Sequence, residues 1–343
     1  MNKTEVLVVG GGPGGLACAT LLAQHGVRVV LVERKPVVGP KVCAGGITCN
    51  GLLCHMPAKL LEREFFHQHV FTPRQSAVIT GKEPVVATVN RRRLGQWMSA
   101  EALNAGVILL TGTRLTGIDG RHASLEDLGG QQYRFRFEHL VGADGANSLV
   151  RRFIGLPVAA TGVGIHCLVQ GQYPQMEWHL DPDLFGSGYG WYFPHGHRYS
   201  VGVYADSRVM TARNLRERLL KWMQQRGVQP DAATLRAGLV NYDYRGVHFG
   251  SVWLVGDAAG LTSGLTGEGI YSAFLSGQEV ARMILAADYT PQQLHRLVRK
   301  HGLHRRLLAS VTTRPRTCSF LMEVMIMLLR LKMIAFRHLE MAD

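Results

Sequence analysis

Four apolar residues, Val6-Leu7-Val8-Val9, run straight into Gly10-Gly11-Gly12-Pro13-Gly14-Gly15, and this junction limits the fold more than any other stretch of the chain. The apolar run reads as a strand buried on both faces. Gly10 makes the tight turn, Gly12 leaves room for backbone to approach a pyrophosphate, and Gly15 lets the next helix pack close to the strand. That helix carries Leu16, Ala17, Ala19, Leu21, Leu22 and Ala23, with Gly26 in the C-capping place. Its N-terminus offers unpaired N–H groups and a partial positive charge, which suit a diphosphate. Val27 to Val32 reads as the second strand, and Glu33 ends it. A carboxylate there accepts from a ribose 2′-hydroxyl and repels a 2′-phosphate. The expected architecture is α/β, a Rossmann-like domain for a dinucleotide other than NADP.

Two further motifs narrow the ligand. Val141-Gly142-Ala143-Asp144-Gly145 ends a strand in a tight turn, where Asp144 accepts hydrogen bonds from ribose or simply from its own turn. Ser251 to Val255 is another apolar strand and delivers Gly256-Asp257-Ala258-Ala259-Gly260. Asp257, at the strand mouth, is placed to hold a polyol hydroxyl such as a ribityl chain. The loop Leu261 to Thr266 then leads to a long helix from Gly267 to Ala286. N–H groups at that helix start would stabilise an anionic reduced flavin. Glycine loop, Asp144 turn and Asp257 loop in this order point to FAD.

The motifs are far apart, so the cofactor domain must be discontinuous. Its expected pieces are residues 1–65, 90–155 and 246–290; residues 66–89 and 156–245 form a second, sheet-based substrate domain; residues 291–343 form a helical, basic C-terminal segment. A chain of 343 residues, 46% apolar, has the material for two such cores. The first strand starts near Glu5, leaving no room for a secretory signal, and Val324 to Leu329 is too short to span a bilayer. The six cysteines show no metal-ligand spacing, and a disulfide framework is not expected at this length. These features lead us to expect a cytoplasmic protein without a metal.

The formal charge is +13, with no nucleic-acid recognition motif beside it. Between Leu294 and Glu340 there are ten Lys/Arg and two acids, Glu323 and Glu340. Basic residues (Arg296, Arg299, Lys300, Arg305, Arg306) alternate with apolar ones (Phe320 to Met322, Val324 to Leu329). That is either an interfacial helix, peripheral to an anionic membrane's inner face, or a pair of helices packed on the body with solvated basic faces.

The three FAD motifs resemble the fold shared by aromatic hydroxylases, flavin halogenases and geranylgeranyl reductases. Pro40-Lys41-Val42-Cys43-Ala44-Gly45-Gly46 resembles the cysteine-glycine segment of the geranylgeranyl reductases, and Gly188-Tyr189-Gly190-Trp191-Tyr192-Phe193-Pro194 resembles their Tyr-x-Trp-x-Phe-Pro motif. The resemblance spans residues 5–290. It implies that Gly14 and its loop meet the diphosphate, Glu33 the adenosine ribose, and Leu115 the adenine through its backbone. Cys43, Ala44 and Gly46 would lie along the flavin; an arginine of the run Arg91-Arg92-Arg93, matched at Arg91, would contact FAD; Asp257, Gly269 and Ile270 would hold the ribityl chain and ring. Gly95 departs from the family, which often has Asp there.

Period-two alternation puts Tyr189, Trp191 and Phe193 on one strand face and Gly190 and Tyr192 on the other. That aromatic face is either core or the wall of an apolar substrate pocket. The activity implied is reduction of carbon–carbon double bonds in a prenyl chain or similar lipid by hydride from reduced flavin, with Cys43 near the proton source or else a packed thiol. The electron donor would be NAD(P)H or a reduced ferredoxin or flavodoxin. An FAD monooxygenase hydroxylating an aromatic substrate is the alternative on the same fold.

Overall fold

The computed structural model of the chain describes residues 2–48, 56–312, 315–335 and 340–342. Cys49 and Cys54 lie outside them.

Val6–Val9 sits at the centre of a six-stranded sheet with the order His248–Phe249, Val252–Leu254, His139–Gly142, Val6–Val9, Val29–Glu33, Ile108–Thr111. All neighbours pair in parallel except the edge strand His248–Phe249. Its strands come from three stretches of the chain, residues 6–33, 108–142 and 248–254. All four residues of Val6–Val9 are buried, as a sheet covered on both faces requires. Helix Pro13–Gln24 packs against helix Ile270–Leu285, and glycines make the approach possible. A Cβ at Gly277 would lie 2.2 Å from the Gly14 carbonyl oxygen, and one at Gly15 would lie 2.0 Å from the Gly10 oxygen.

The second large sheet has seven strands: Arg236–Asn241, Thr161–Gln170, Arg198–Asp206, Tyr189–Pro194, Met176–His179, His67–Phe71 and Ser76–Thr80. It is antiparallel apart from the pair Met176–His179 and His67–Phe71. One face packs under helix Ala212–Gln225 through Tyr192, Val203, Leu219 and Trp222. The other gathers Trp191, Phe193 and Tyr204. Val86–Val89, expected in the second domain, instead pairs with Gly46–Thr48 and Leu61–Phe65 in a separate three-stranded sheet. Beyond the residues left undescribed, Ala58–Leu60 forms one 3-10 turn. The helix expected from Gly267 starts at Ile270, capped by Gly269.

The separated pieces are fastened by Arg151, 0% exposed, which was not anticipated from the sequence. Its guanidinium donates to the carbonyl oxygens of Pro157 and Ala258 and pairs with Asp243 Oδ2 at 3.1 Å. A buried ion pair persists only where hydrogen bonds satisfy both partners, as they do here.

The C-terminal segment is two helices, Gln292–Thr312 and Pro315–Arg330. The first buries a stripe of Leu294, Leu297, His301, His304 and Leu308 and exposes Arg296, Arg299, Arg305 and Arg306. The second lays Ile326, Met322, Met325 and Leu329 against Val70 and Ala77 of the seven-stranded sheet.

Candidate cofactor and substrate site

One cavity of about 870 Å³ runs between the two large sheets. At one end it is walled by Gly10, Gly12, Glu33 and Leu115; in the middle by Cys43, Ala44, Gly46, Arg91, Asp257, Gly269 and Ile270; at the other by Tyr189, Trp191 and Phe193. Gly14 and Gly15 do not line it. Their missing side chains serve helix packing, so the loop meets the cavity through Gly10 to Pro13. A Cβ at Gly12 would touch nothing within 4 Å, leaving open space where a phosphate approaches backbone.

Glu33 Oε2 accepts from Gly11 N–H at 2.8 Å, and Oε1 accepts from Lys35 N–H at 2.9 Å. The acid thus braces the glycine loop from the cavity rim. Leu115 lines the cavity and sits at a register shift in the pairing of Thr113–Asp119 with His122–Asp127. Asp144 lines the wall, but its carboxylate accepts from Ser148 Oγ and from the N–H groups of Leu149 and Val150. It caps the short helix Leu149–Phe153, and burial raises its pKa against those bonds.

Arg91 begins helix Arg91–Asn104, and its Nε and Nη1 are buried with no hydrogen-bond partner among the described residues. Arg92 and Arg93 are exposed, and Arg93 donates to the Lys59 carbonyl. Arg91 is therefore the member of the basic run that faces the cavity. Gly95 has its own reason: a Cβ there would lie 2.3 Å from Gly39 Cα, so an Asp would displace the loop that leads to Cys43.

Asp257 is buried, and each of its oxygens has one partner, which leaves acceptor capacity on both. Thr262 Oγ1 donates to Oδ1 at 2.6 Å, and Lys41 Nζ pairs with Oδ2 at 2.9 Å. Lys41 lay inside the segment read for Cys43 and was given no role. Glu268 also escaped assignment. It accepts from Thr48 and from Met341 N–H, which docks Glu340–Ala342 against the flavin-side loop, and burial raises its pKa. Cys43 lines the cavity half-buried, its Sγ accepting from Gly45 N–H at 3.4 Å.

The aromatic face points into the cavity. Tyr189 donates to the Thr266 carbonyl at 2.5 Å and Tyr204 to the Gly264 carbonyl at 3.0 Å, tying the seven-stranded sheet to the loop before Ile270. Trp191 Nε1 donates to Ser200 Oγ at 3.1 Å, and Ser200 in turn meets His166 Nδ1 at 2.9 Å. Burial lowers the His166 pKa to about 4. Tyr192, on the opposite face, stacks on Tyr173.

The residues present fit FAD: an open phosphate-sized space at Gly12, the buried and unpartnered Nε and Nη1 of Arg91, and a carboxylate at Asp257. A family model described as an FAD binding domain matches residues 3–169. The chain is 28% identical over 326 residues, 87% of its length and 83% of the relative's, to digeranylgeranylglycerophospholipid reductase 2 of Methanosphaera stadtmanae. This chain is an FAD-dependent oxidoreductase whose homologues include proteins named geranylgeranyl reductases. It is also 28% identical to the chloroplastic geranylgeranyl diphosphate reductase of Oryza sativa subsp. japonica, over 84% of this chain and 67% of that one. A solved structure from Thermoplasma acidophilum, described as geranylgeranyl bacteriochlorophyll reductase-like, superposes with a TM-score of 0.84 at 22% identity, covering 96% of this chain and 92% of its own. The likeness in fold thus takes in nearly the whole chain. Among the described residues there is no cluster of metal ligands.

Proposed function

We propose that this oxidoreductase saturates carbon–carbon double bonds of a prenyl chain or a related lipid. The observation that carries the reading is that a single cavity joins the glycine loop to a wall of Tyr189, Trp191, Phe193 and Trp178. A hydrocarbon gains about 25 cal/mol for each Å² buried against such a wall. FAD, when bound and reduced, supplies the hydride. The chain's own residues do the rest. Gly10 to Pro13, Glu33 and Arg91 hold the adenosine diphosphate, Asp257 orients the ribityl chain, and the aromatic wall excludes water and aligns the lipid. Cys43, which lines the same cavity, stands near the proton source, water or a nearby group. Electrons come from NAD(P)H or from a reduced ferredoxin or flavodoxin.

The test is an anaerobic incubation of the protein, chemically reduced FAD and a geranylgeranyl lipid, read by mass spectrometry. Products gaining two hydrogens per double bond are expected, and Trp191→Phe should slow their formation while FAD stays bound. A strict requirement for dioxygen, with hydroxylated aromatic products, would replace this reading by the monooxygenase alternative.

The same proposal extends to an anionic membrane surface as the place where the lipid is collected. Phe320 (66% exposed), Leu321, Met327, Leu331 and Met333 stand out from the last helix and its continuation. Met325, first grouped with them, is packed inward. Glu323 turns inward to accept from Thr72 and Gln75, and Glu340 is buried, so the charge left outside is positive. No helix among the described residues is long and apolar enough to cross a membrane.

A further inference from the structure

His195 occupies the turn after the aromatic strand, buried and outside the cavity wall. Its Nδ1 lies 2.6 Å from Glu62 Oε2, and its Nε2 lies 3.0 Å from the Ala44 carbonyl oxygen. Both neighbours only accept hydrogen bonds when Glu62 is ionised. A neutral ring has one N–H, so one nitrogen would turn its lone pair on an oxygen. Only the imidazolium satisfies both contacts. The fit to the loop is close: a Cβ at Gly45 would lie 2.7 Å from His195 Cε1. Burial works to raise the Glu62 carboxyl, but the hydrogen bond and charge of His195, with Arg198 and Arg93 nearby, hold it below the usual carboxylate value.

We propose that His195, as an imidazolium bridging Glu62 and Ala44, is the positioning residue that sets the Cys43–Gly46 loop against the cofactor. The strand Leu61–Phe65 supplies Glu62, the helix Arg91–Asn104 supplies Arg93, the strand Arg198–Asp206 supplies Arg198, and the strand Thr161–Gln170 supplies His166. Glu62 is the one anion in this set. Its carboxylate lies 2.6 Å from the ring, so a neutral amide in its place removes the negative charge that the bridge depends on.

The proposal rests on the loop being a cofactor wall and is independent of which lipid is reduced, so its test uses FAD alone. The full-length apoprotein is titrated with FAD across a pH series, with no lipid present, and the imidazole nitrogens are followed by ¹⁵N NMR, His195 being assigned through His195→Gln. In the wild type both nitrogens should carry protons at neutral pH, and FAD affinity should fall once one proton leaves. In Glu62→Gln the same fall should come about one pH unit or more lower, tenfold in proton affinity. His195→Lys, which keeps a cationic donor, should retain FAD through the range where the wild type loses it. A singly protonated His195 in the wild type at neutral pH overturns the proposal, even if a variant fails to fold. So do superimposable pH profiles for wild type and Glu62→Gln.

Discussion

The parallel sheet and the antiparallel sheet face the same cavity but present different materials to it. The parallel side offers backbone, a glycine turn and helix N–H groups, with the carboxylates of Glu33, Asp144 and Asp257 at or just beyond the ends of three of its strands. The antiparallel side offers side chains, the rings of Tyr189, Trp191 and Phe193, with Ser200 and His166 behind the indole. A nucleotide carries the same diphosphate in every enzyme that uses it, so backbone fixed by glycine contacts suffices. A hydrocarbon has no polar handle along its chain, so only shape and apolar area are available to recognise it.

The hardest test of that contrast is to add one methyl group to the backbone-built side. Gly277→Ala puts a carbon against the Gly14 carbonyl, where nothing flexible can give way. It should destabilise the protein by about 3 kcal/mol or more by thermal unfolding. A variant as stable as wild type would show that the helix pair tolerates separation and that the glycine geometry is not the constraint.

Acid probes buried histidines on both sides of the cavity. His166 on the antiparallel sheet, and His301 and His304 behind the Asp257 loop, have pKa values near 4, lowered chiefly by burial. Unfolded histidine titrates near 6.5. Above that pH both states are neutral and these residues add no pH dependence. Between 6.5 and about 4 only the unfolded state takes up protons, so stability falls with falling pH; below 4 no further loss follows. Each contributes up to about 3 kcal/mol of that loss. Glu268 and Asp144, with raised values, act in the opposite direction on acidification. Denaturant midpoints across this window measure the net slope, and His166→Asn should flatten it.

Arg91→Met and Asp257→Ala separate the two ends of the cofactor itself. Each removes one charged hydrogen bond, about 1.5–3 kcal/mol, or tenfold and more in FAD affinity by equilibrium titration. Asp257→Ala also frees Lys41, so the double variant with Lys41→Met should lose less than the sum. Strict additivity would mean that the ion pair plays no part in shaping the site.

The smallest effect belongs to the C-terminal helices, a third region that touches neither ligand end. Co-sedimentation with anionic vesicles should decline as salt rises, with about 1 kcal/mol per arginine near the surface. Equal, negligible pelleting with neutral and anionic vesicles would leave these helices a cap on the seven-stranded sheet.

The same difference in materials explains what could be read in advance. Val6–Val9, the glycine turn and Glu33 are contiguous or nearly so, and their periodicity and spacing carry their roles. The alternation of Tyr189, Trp191 and Phe193 was also legible, but not the direction of the face, which depends on strands more than a hundred residues away in the chain. Lys41, Glu62, His195 and Arg151 act through partners distant in sequence, and no local pattern marks them. His301 and His304 sit at helical spacing with Leu294, Leu297 and Leu308, so the buried stripe could have named them. The assignment of Val86–Val89 to the wrong sheet has a similar cause, since strand pairing is set by neighbours in space.

Arg151 joins a segment near residue 150 to Asp243 and to the Ala258 carbonyl, and the strand Val252–Leu254 completes the parallel sheet beside His139–Gly142. During synthesis the glycine loop and Glu33 leave the ribosome long before these partners exist. At about 5–20 residues per second the wait is on the order of tens of seconds. Throughout it the nascent chain holds its glycine loop without Asp257 and without the closing strand. FAD capture is thus expected to be a late event in the birth of this protein, and ribosome-stalled chains of graded length should remain without flavin until Asp257 and the helix Ile270–Leu285 have emerged.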